Sequence, residues 1–264
     1  MAGIGWIATN TLATFSAIMG EFRRRYRDRV IDILERTVAG QADAFDAARD
    51  AVATALAADR LIYLTGSGHS HLIAAEAFYR AGGIAAAQAI LDPDLMLHVS
   101  ASRSTQFERE TGRAERVLAD YGVIRGDVLI VASNSGRNAY PIEMALAAKA
   151  RGATTIALTS LRHTRSVTSR HPSGKRLFEV SDIVLDNGAE YGDASLHVGH
   201  HGLCMGPTST IIGVFIIHTV LAEAVDYLAD HNVAVDVYQS ANVQKVDAAA
   251  DDMIRRWKPR IKGL

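Results

Sequence analysis

The chain's pattern predicts an α/β layered fold with a mainly parallel sheet, and three observations carry that expectation. Short apolar runs with the character of buried strands, at 61–64, 128–132 and 154–158, alternate with longer stretches of helical periodicity. The first two runs lead into hydroxyl-rich turns, Thr65-Gly66-Ser67-Gly68-His69-Ser70 and Ser133-Asn134-Ser135-Gly136-Arg137-Asn138, and each turn opens a helical stretch. The 264 residues, 48% hydrophobic and 22% charged, are ordinary for a globular protein and ample for a core.

In chain order, residues 22–57 read as helix. Val30, Ile31, Ile33, Leu34 and Val38 make an apolar stripe, and Gly40 breaks it before a second helix that runs to 57. A strand at 61–64 is followed by a helix over 70–81, closed by Gly82-Gly83. Residues 84–90 form a second strand and 106–121 a polar helix. The strand at 128–132 is the clearest of the set, and the helix at 141–151 carries Pro141 at its start, where a missing N–H is harmless. Strands at 154–158 and 183–185 follow, then a long apolar helix at 208–229 and an amphipathic one at 245–257. No internal repeat or low-complexity linker interrupts the series. The chain therefore divides into an N-terminal helical segment, 1–40, and one domain, 41–264, ending in the C-terminal helix.

Lys and Arg total 28 against 29 Asp and Glu, a net charge of −1, so no global field favours nucleic acid or an acidic membrane, and neither is expected as a partner. The one cysteine, Cys204, rules out an internal disulfide and suits a reducing cytoplasm. Met1 to Gly20 carry no charged side chain, and Glu21-Phe22-Arg23-Arg24-Arg25 follows. A signal peptide places its positive charge before the apolar part, and Thr9, Asn10, Thr11, Thr14 and Ser16 spoil a membrane span. The segment reads as an extension ahead of a start at Met19 or as a genuine N-terminal helix.

A small hydroxyl-rich turn between strand and helix offers Ser oxygens and free backbone N–H groups to an anion, and the helix dipole adds attraction. Ser67, Ser133 and Ser135 supply hydroxyls, and Ser160, at the end of the next strand, supplies a third wall. One such turn alone reads as N-cap chemistry. Two of them at the carboxyl ends of strands, where α/β sheets bind ligands, point to a phosphate carrying a small sugar-like body. Neither is a P-loop, and Gly66-Ser67-Gly68-His69-Ser70-His71 lacks the third glycine of a dinucleotide site, so no nucleotide or other cofactor is expected.

These two turns, with Gly206-Pro207-Thr208-Ser209-Thr210, resemble the three signature stretches of the sugar isomerase (SIS) domain, over roughly residues 40–240. They are most similar to stand-alone bacterial members of that family. The resemblance implies a three-layer sandwich, a five-stranded parallel sheet flanked by helices. It also implies a homodimer or homotetramer with sites at subunit interfaces. The ligand is then a sugar phosphate held by Gly66, Ser67, His71, Ser133, Asn134, Ser135, Gly136, Asn138, Ser160, Thr208 and Ser209.

Isomerising a sugar phosphate needs a base that moves a proton between neighbouring carbons. Glu76 lies two helical turns after His69, on the same face, at a position that carries histidine or lysine in related isomerases; the structural alternative is a salt bridge with Arg80. His218, in the apolar helix, resembles the catalytic, metal-binding histidine of phosphoheptose isomerases. Thr210 and Arg80 stand where that family has its glutamine and glutamate ligands, so no metal is expected. His69 and His71 flank Ser70 and can polarise a hydroxyl or shuttle a proton. Glu190 and Asp193 are further acid–base candidates, whereas His197, His200 and His201 read as a surface loop. Ser240-Ala241-Asn242 replaces the catalytic histidine and Pro-Gly of arabinose-phosphate isomerases, which argues against that activity. Arg162, Arg165, Arg170, Lys175 and Arg176 follow the strand ending at Ser160 and either fold over the phosphate or form a solvated basic loop. The leading expectation is an aldose–ketose isomerase of a sugar phosphate. An amino-sugar phosphate lyase, etherase or deaminating isomerase is the second, and a non-catalytic phosphosugar sensor the third.

Overall fold

The protein is described here by a computed structural model covering residues 4–199, 202–240 and 248–264. Its strands are β1 (Ile62–Gly66), β2 (Ala87–Ile90), β3 (Val128–Ala132), β4 (Thr154–Thr159), β5 (Ile183–Asp186), β6 (Leu196–Val198) and β7 (Leu203–Met205). Its helices are α1 (Ile4–Gly40), α2 (Ala42–Ala57), α3 (His71–Ala77), α4 (Leu97–Phe107), α5 (Arg113–Tyr121), α6 (Ala139–Ala150), α7 (Leu161–Arg165), α8 (Leu177–Val180), α9 (Ser209–Asp230) and α10 (Ala248–Trp257).

Five strands form one sheet, in the order β2-β1-β3-β4-β5, with every neighbouring pair parallel. Consecutive residues of each central strand enter opposite cores. Ile62, Leu64, Val128, Ile130, Ile156 and Leu158 pack with Ala48, Val52, Ile73, Ile212 and Ile216 of α2, α3 and α9. Tyr63, Leu129, Val131 and Ala157 pack with Leu118, Ile142, Met144 and Ala145 of α5 and α6. This two-sided burial is why the strand runs are mostly apolar, and it produces the expected three layers.

The chain passes from β1 outward to β2, then crosses back to β3 on the other side, so the topological switch lies between β1 and β3. The register there pairs Thr65 with Val131 and Gly66 with Ala132. Ser67 and Ser133 therefore leave the sheet side by side.

Several expected elements are redrawn. The break at Gly40 occurs, because Gln41 (φ −148°) turns its amide onto the edge of β5, bonding Asp186 N and O at 2.8 Å each. The helix expected over 70–81 starts with a 3-10 turn and stops at Ala77. From there the chain pairs with the segment after α9: Gly82 N donates to Tyr238 O, Tyr238 N to Gly83 O and Ala85 N to Asp236 O. The same pairing shortens the second strand to Ala87–Ile90. The polar helix expected over 106–121 is α5 from Arg113 on; residues 106–107 are the end of α4, which starts at Leu97, and 108–112 separate the two, with Gly112 at φ +85°. His197 is on the β6–β7 hairpin rather than in a loop, with its Nδ1 3.3 Å from Cys204 Sγ; His200, His201, Ala241, Asn242 and the first residues of the last expected helix lie outside the described residues. By length and composition α9 is apolar enough to cross a membrane, and eight of its residues are buried in this fold.

Candidate functional site

The first turn is shaped by Gly66. A Cβ there would stand 2.6 Å from the carbonyl carbon and oxygen of Ser70 and 2.9 Å from His71 N, so the chain can fold back on itself only around glycine. Ser67 then enters the 3-10 turn in extended conformation, buried, with Gly68 at φ +57° beside open space. His71 is buried and donates from Nδ1 to Gly68 O, bracing the turn; His69 is exposed at the rim.

The second turn closes on itself. Gly136 N donates to Ser133 Oγ at 3.2 Å, with Gly136 at φ +56°, where a Cβ would stand 3.2 Å from Leu177 Cβ and Thr164 Oγ1. Asn134 O accepts from Thr159 Oγ1 and Ser160 N, and Asn134 Oδ1 accepts from Asn187 Nδ2, tying the turn to β4 and β5. Asn138 is the residue before α6, in extended conformation. Ser135 is half-exposed, and its hydroxyl is in no hydrogen bond among the described residues.

Glu108 spans the two turns. Ser67 Oγ donates to its Oε2 at 2.9 Å, and Asn138 Nδ2 donates to its Oε1 at 2.8 Å. Its own backbone carbonyl accepts from Tyr140 N, so the residue is pinned to the start of α6. Burial pushes this carboxyl above the ordinary glutamate range, against the opposing pull of the Ser67 bond and of Arg109 and Arg170. A half-buried carboxylate whose proton affinity is raised, at the switch point of an α/β sheet, is equipped for proton transfer.

The basic segment does lie over the second turn. Arg170 N donates to Arg137 O at 2.7 Å, and Arg170 Nη1 donates to Asn138 Oδ1 at 3.0 Å. Arg137 Nε returns a bond to Thr168 O at 2.9 Å. Burial and the neighbouring Arg137 and Arg109 hold Arg170 below the ordinary guanidinium range, with Glu108 pulling the other way.

The other expected site residues lie elsewhere. Glu76 and His218 do meet, at 3.5 Å, but around Arg80, which pairs with Glu76 and approaches His218 Nε2 at 3.4 Å. Burial, then Arg80, lowers the proton affinity of His218, so it stands neutral and accepts from the guanidinium. Glu76 lies about 8 Å along α3 from its first residue and is a half-buried i,i+4 ion-pair member. Ser160 is fully buried; its Oγ donates to Ala189 O and accepts from His163 N, which leaves nothing for a ligand. In the third signature stretch two backbone donors and the Ser209 hydroxyl are taken, whereas Thr208 Oγ1 is buried with no hydrogen-bond partner among the described residues. Asp193 Oδ1 accepts from Thr208 N and Ser209 N at 3.0 Å each, and Asp193 Oδ2 accepts from Ser209 Oγ at 2.6 Å. Asp193 thus caps α9, and Asp193→Ala should lower stability by about 1–2 kcal/mol in urea unfolding without altering ligand affinity. Glu190 is held by Arg29 and Arg162. Reading the sequence misses Glu108, whose one local signal is Gly112, four residues on and left-handed, just before α5 begins.

A family model described as "SIS domain" matches residues 25–160. A UPF0309 protein of Listeria monocytogenes is 40% identical over 236 residues, 89% of this chain and 96% of the relative. A UPF0309 protein of Geobacillus thermodenitrificans is 40% identical over 240 residues, 91% and 96% of the two chains. Among solved structures, a phosphoheptose isomerase from Francisella tularensis matches 78% of this chain and 97% of its own, with TM-score 0.52 and 17% identity. The Vibrio vulnificus NanR protein complexed with ManNAc-6P matches 96% of this chain and 74% of its own, with TM-score 0.50 and 15% identity.

Proposed function

The chain belongs to the SIS-domain family, among UPF0309 relatives, and on that premise we propose that it binds a sugar phosphate at the β1/β3 crevice and interconverts its aldose and ketose forms. The observation that carries the reading is the Glu108 carboxylate held between the two serine-bearing turns. Phosphosugar ligation finds coarser support in the fold shared with a phosphoheptose isomerase and with NanR, which was solved with ManNAc-6P.

In this reading the 133–138 turn and Ser67 hold the phosphate, with Ser135 Oγ as a free donor. Glu108 takes the proton from the carbon beside the sugar's carbonyl and returns it to the neighbouring carbon, while the hydroxyl proton moves to the old carbonyl oxygen. No atom is gained or lost. Glu108 replaces Glu76 as the base, because Glu76 is occupied by Arg80. His69, at the rim of the first turn, is placed to meet the sugar hydroxyls.

The test is a thermal-shift panel of pentose, hexose and heptose monophosphates, with hits followed by proton NMR in heavy water. A hit is expected to lose its C2 proton signal as the isomer appears. No hit in the panel overturns the reading, and a hit without exchange overturns the isomerase part. Release of lactate or ammonia instead places the chemistry among the ether-cleaving or deaminating enzymes. Ser135→Ala should weaken binding of the hit by about tenfold in calorimetry, the worth of one hydrogen bond to a charged group.

A further inference from the structure

The two donors that meet Glu108 come from different turns, yet they converge on one anion. Ser67 Oγ and Asn138 Nδ2 approach the two carboxylate oxygens at 2.9 and 2.8 Å. A donor pair aimed at two oxygens of one carboxylate also fits two non-bridging oxygens of a phosphoryl group. The Asn138 amide is not free to turn away, because Arg170 Nη1 donates to its Oδ1 at 3.0 Å and so points Nδ2 at the anion.

Charge supplies a second argument. Arg109 follows Glu108 directly, Arg170 stands behind Asn138, and the backbone of Arg170 is bound to that of Arg137. Arg109 and Arg170 both act on Glu108, and Arg109 and Arg137 both repel Arg170. Two guanidinium groups acting on one carboxylate, with a third, Arg137, beside Arg170, leave a surplus of two positive charges. A phosphate near neutral pH carries close to two negative charges, so phosphate plus Glu108 balances the cluster.

Resting on the phosphosugar reading above, we propose that the ligand's phosphoryl group binds where the Glu108 carboxylate now sits. Ser67 Oγ and Asn138 Nδ2 are its donors, and Arg109, Arg137 and Arg170 are its counter-charge. In the empty protein Glu108 stands in for the phosphate. On binding, the phosphate displaces it, and the carboxylate turns to the sugar as the base. The site therefore favours phosphorylated sugars: a neutral sugar brings no charge to set against the guanidinium groups and leaves Glu108 in place.

The experiment is calorimetric titration of wild type, Glu108→Gln and Arg170→Gln with inorganic phosphate and with fructose 6-phosphate. Glu108→Gln removes the competing charge and should bind inorganic phosphate at least fivefold tighter than wild type. Arg170→Gln should bind it at least tenfold weaker. Glu108→Asp, which withdraws the carboxylate from both donors, should also tighten binding and serves if Glu108→Gln does not fold. Glu108 variants that bind phosphate no tighter, or Arg170→Gln that binds as wild type does, overturn the displacement. If wild type still binds a sugar phosphate in that case, the reading of function survives. If wild type binds neither inorganic phosphate nor any sugar phosphate, both fall.

Discussion

Glu108→Gln is expected to slow exchange of the C2 proton of a bound sugar phosphate by about 10²–10⁴-fold, the usual worth of a general base. Binding of the same ligand should persist. The variant keeps the shape of the side chain that touches Ser67 and Asn138 and removes only the basic oxygen. The pH profile follows from the direction of the shift. Because burial raises the proton affinity of this carboxyl, the rate should fall on acidification at a pH above the ordinary glutamate range. A proton affinity higher in the folded than in the unfolded chain contributes stability that is present at acid pH and lost as pH rises through the folded value. The neutral variant escapes that loss. It should melt higher than wild type at pH 7, with the gap closing as pH falls toward the ordinary carboxylate range. Exchange that survives in Glu108→Gln would transfer the base to another residue.

Gly66→Ala should cost about 3 kcal/mol or more in urea unfolding and remove sugar-phosphate binding. The atoms a new Cβ would strike, at 2.6–2.9 Å, are backbone atoms of Ser70 and His71, which have no rotamer to change. Gly66 is also the last residue of β1, paired with Ala132, so the strain cannot be relieved by sliding the strand. Gly68→Ala is the control. Its φ is +57° but its Cβ would point into open space, so the cost is the conformational one alone, about 1–2 kcal/mol. Equal costs at the two positions would sink the steric argument.

How much of this was legible along the chain depends on whether the deciding contact is local. Strands buried on both faces are mostly apolar, so β1, β3 and the middle of β4 stand out as runs, and the turns after β1 and β3 carry their own signature of Ser and Gly. The Glu76–Arg80 pair is also local, four residues apart on one helix. Glu108 was invisible for the opposite reason. It lies in a polar stretch that reads as exposed helix, and its importance comes from Ser67, 41 residues before it, and Asn138, 30 residues after it. Ser160, Thr208 and Ser209 read as ligand contacts because their chemistry suits a phosphate. What occupies the Ser160 and Ser209 hydroxyls is Ala189 and Asp193, which arrive from a different connection, while burial alone encloses Thr208 Oγ1.

From the order of residues alone came the alternation of strand and helix, the buried character of the sheet, and two anion-seeking bends. Tertiary structure decided which side chains face that anion. The β1–β3 register brought the bends level, the break between α4 and α5 delivered a carboxylate between them, and the segment after α7 laid Arg170 behind it. Backbone propensity and burial act over a few neighbours and so are written in the sequence. A charge balance is a property of groups that meet only when the sheet is built.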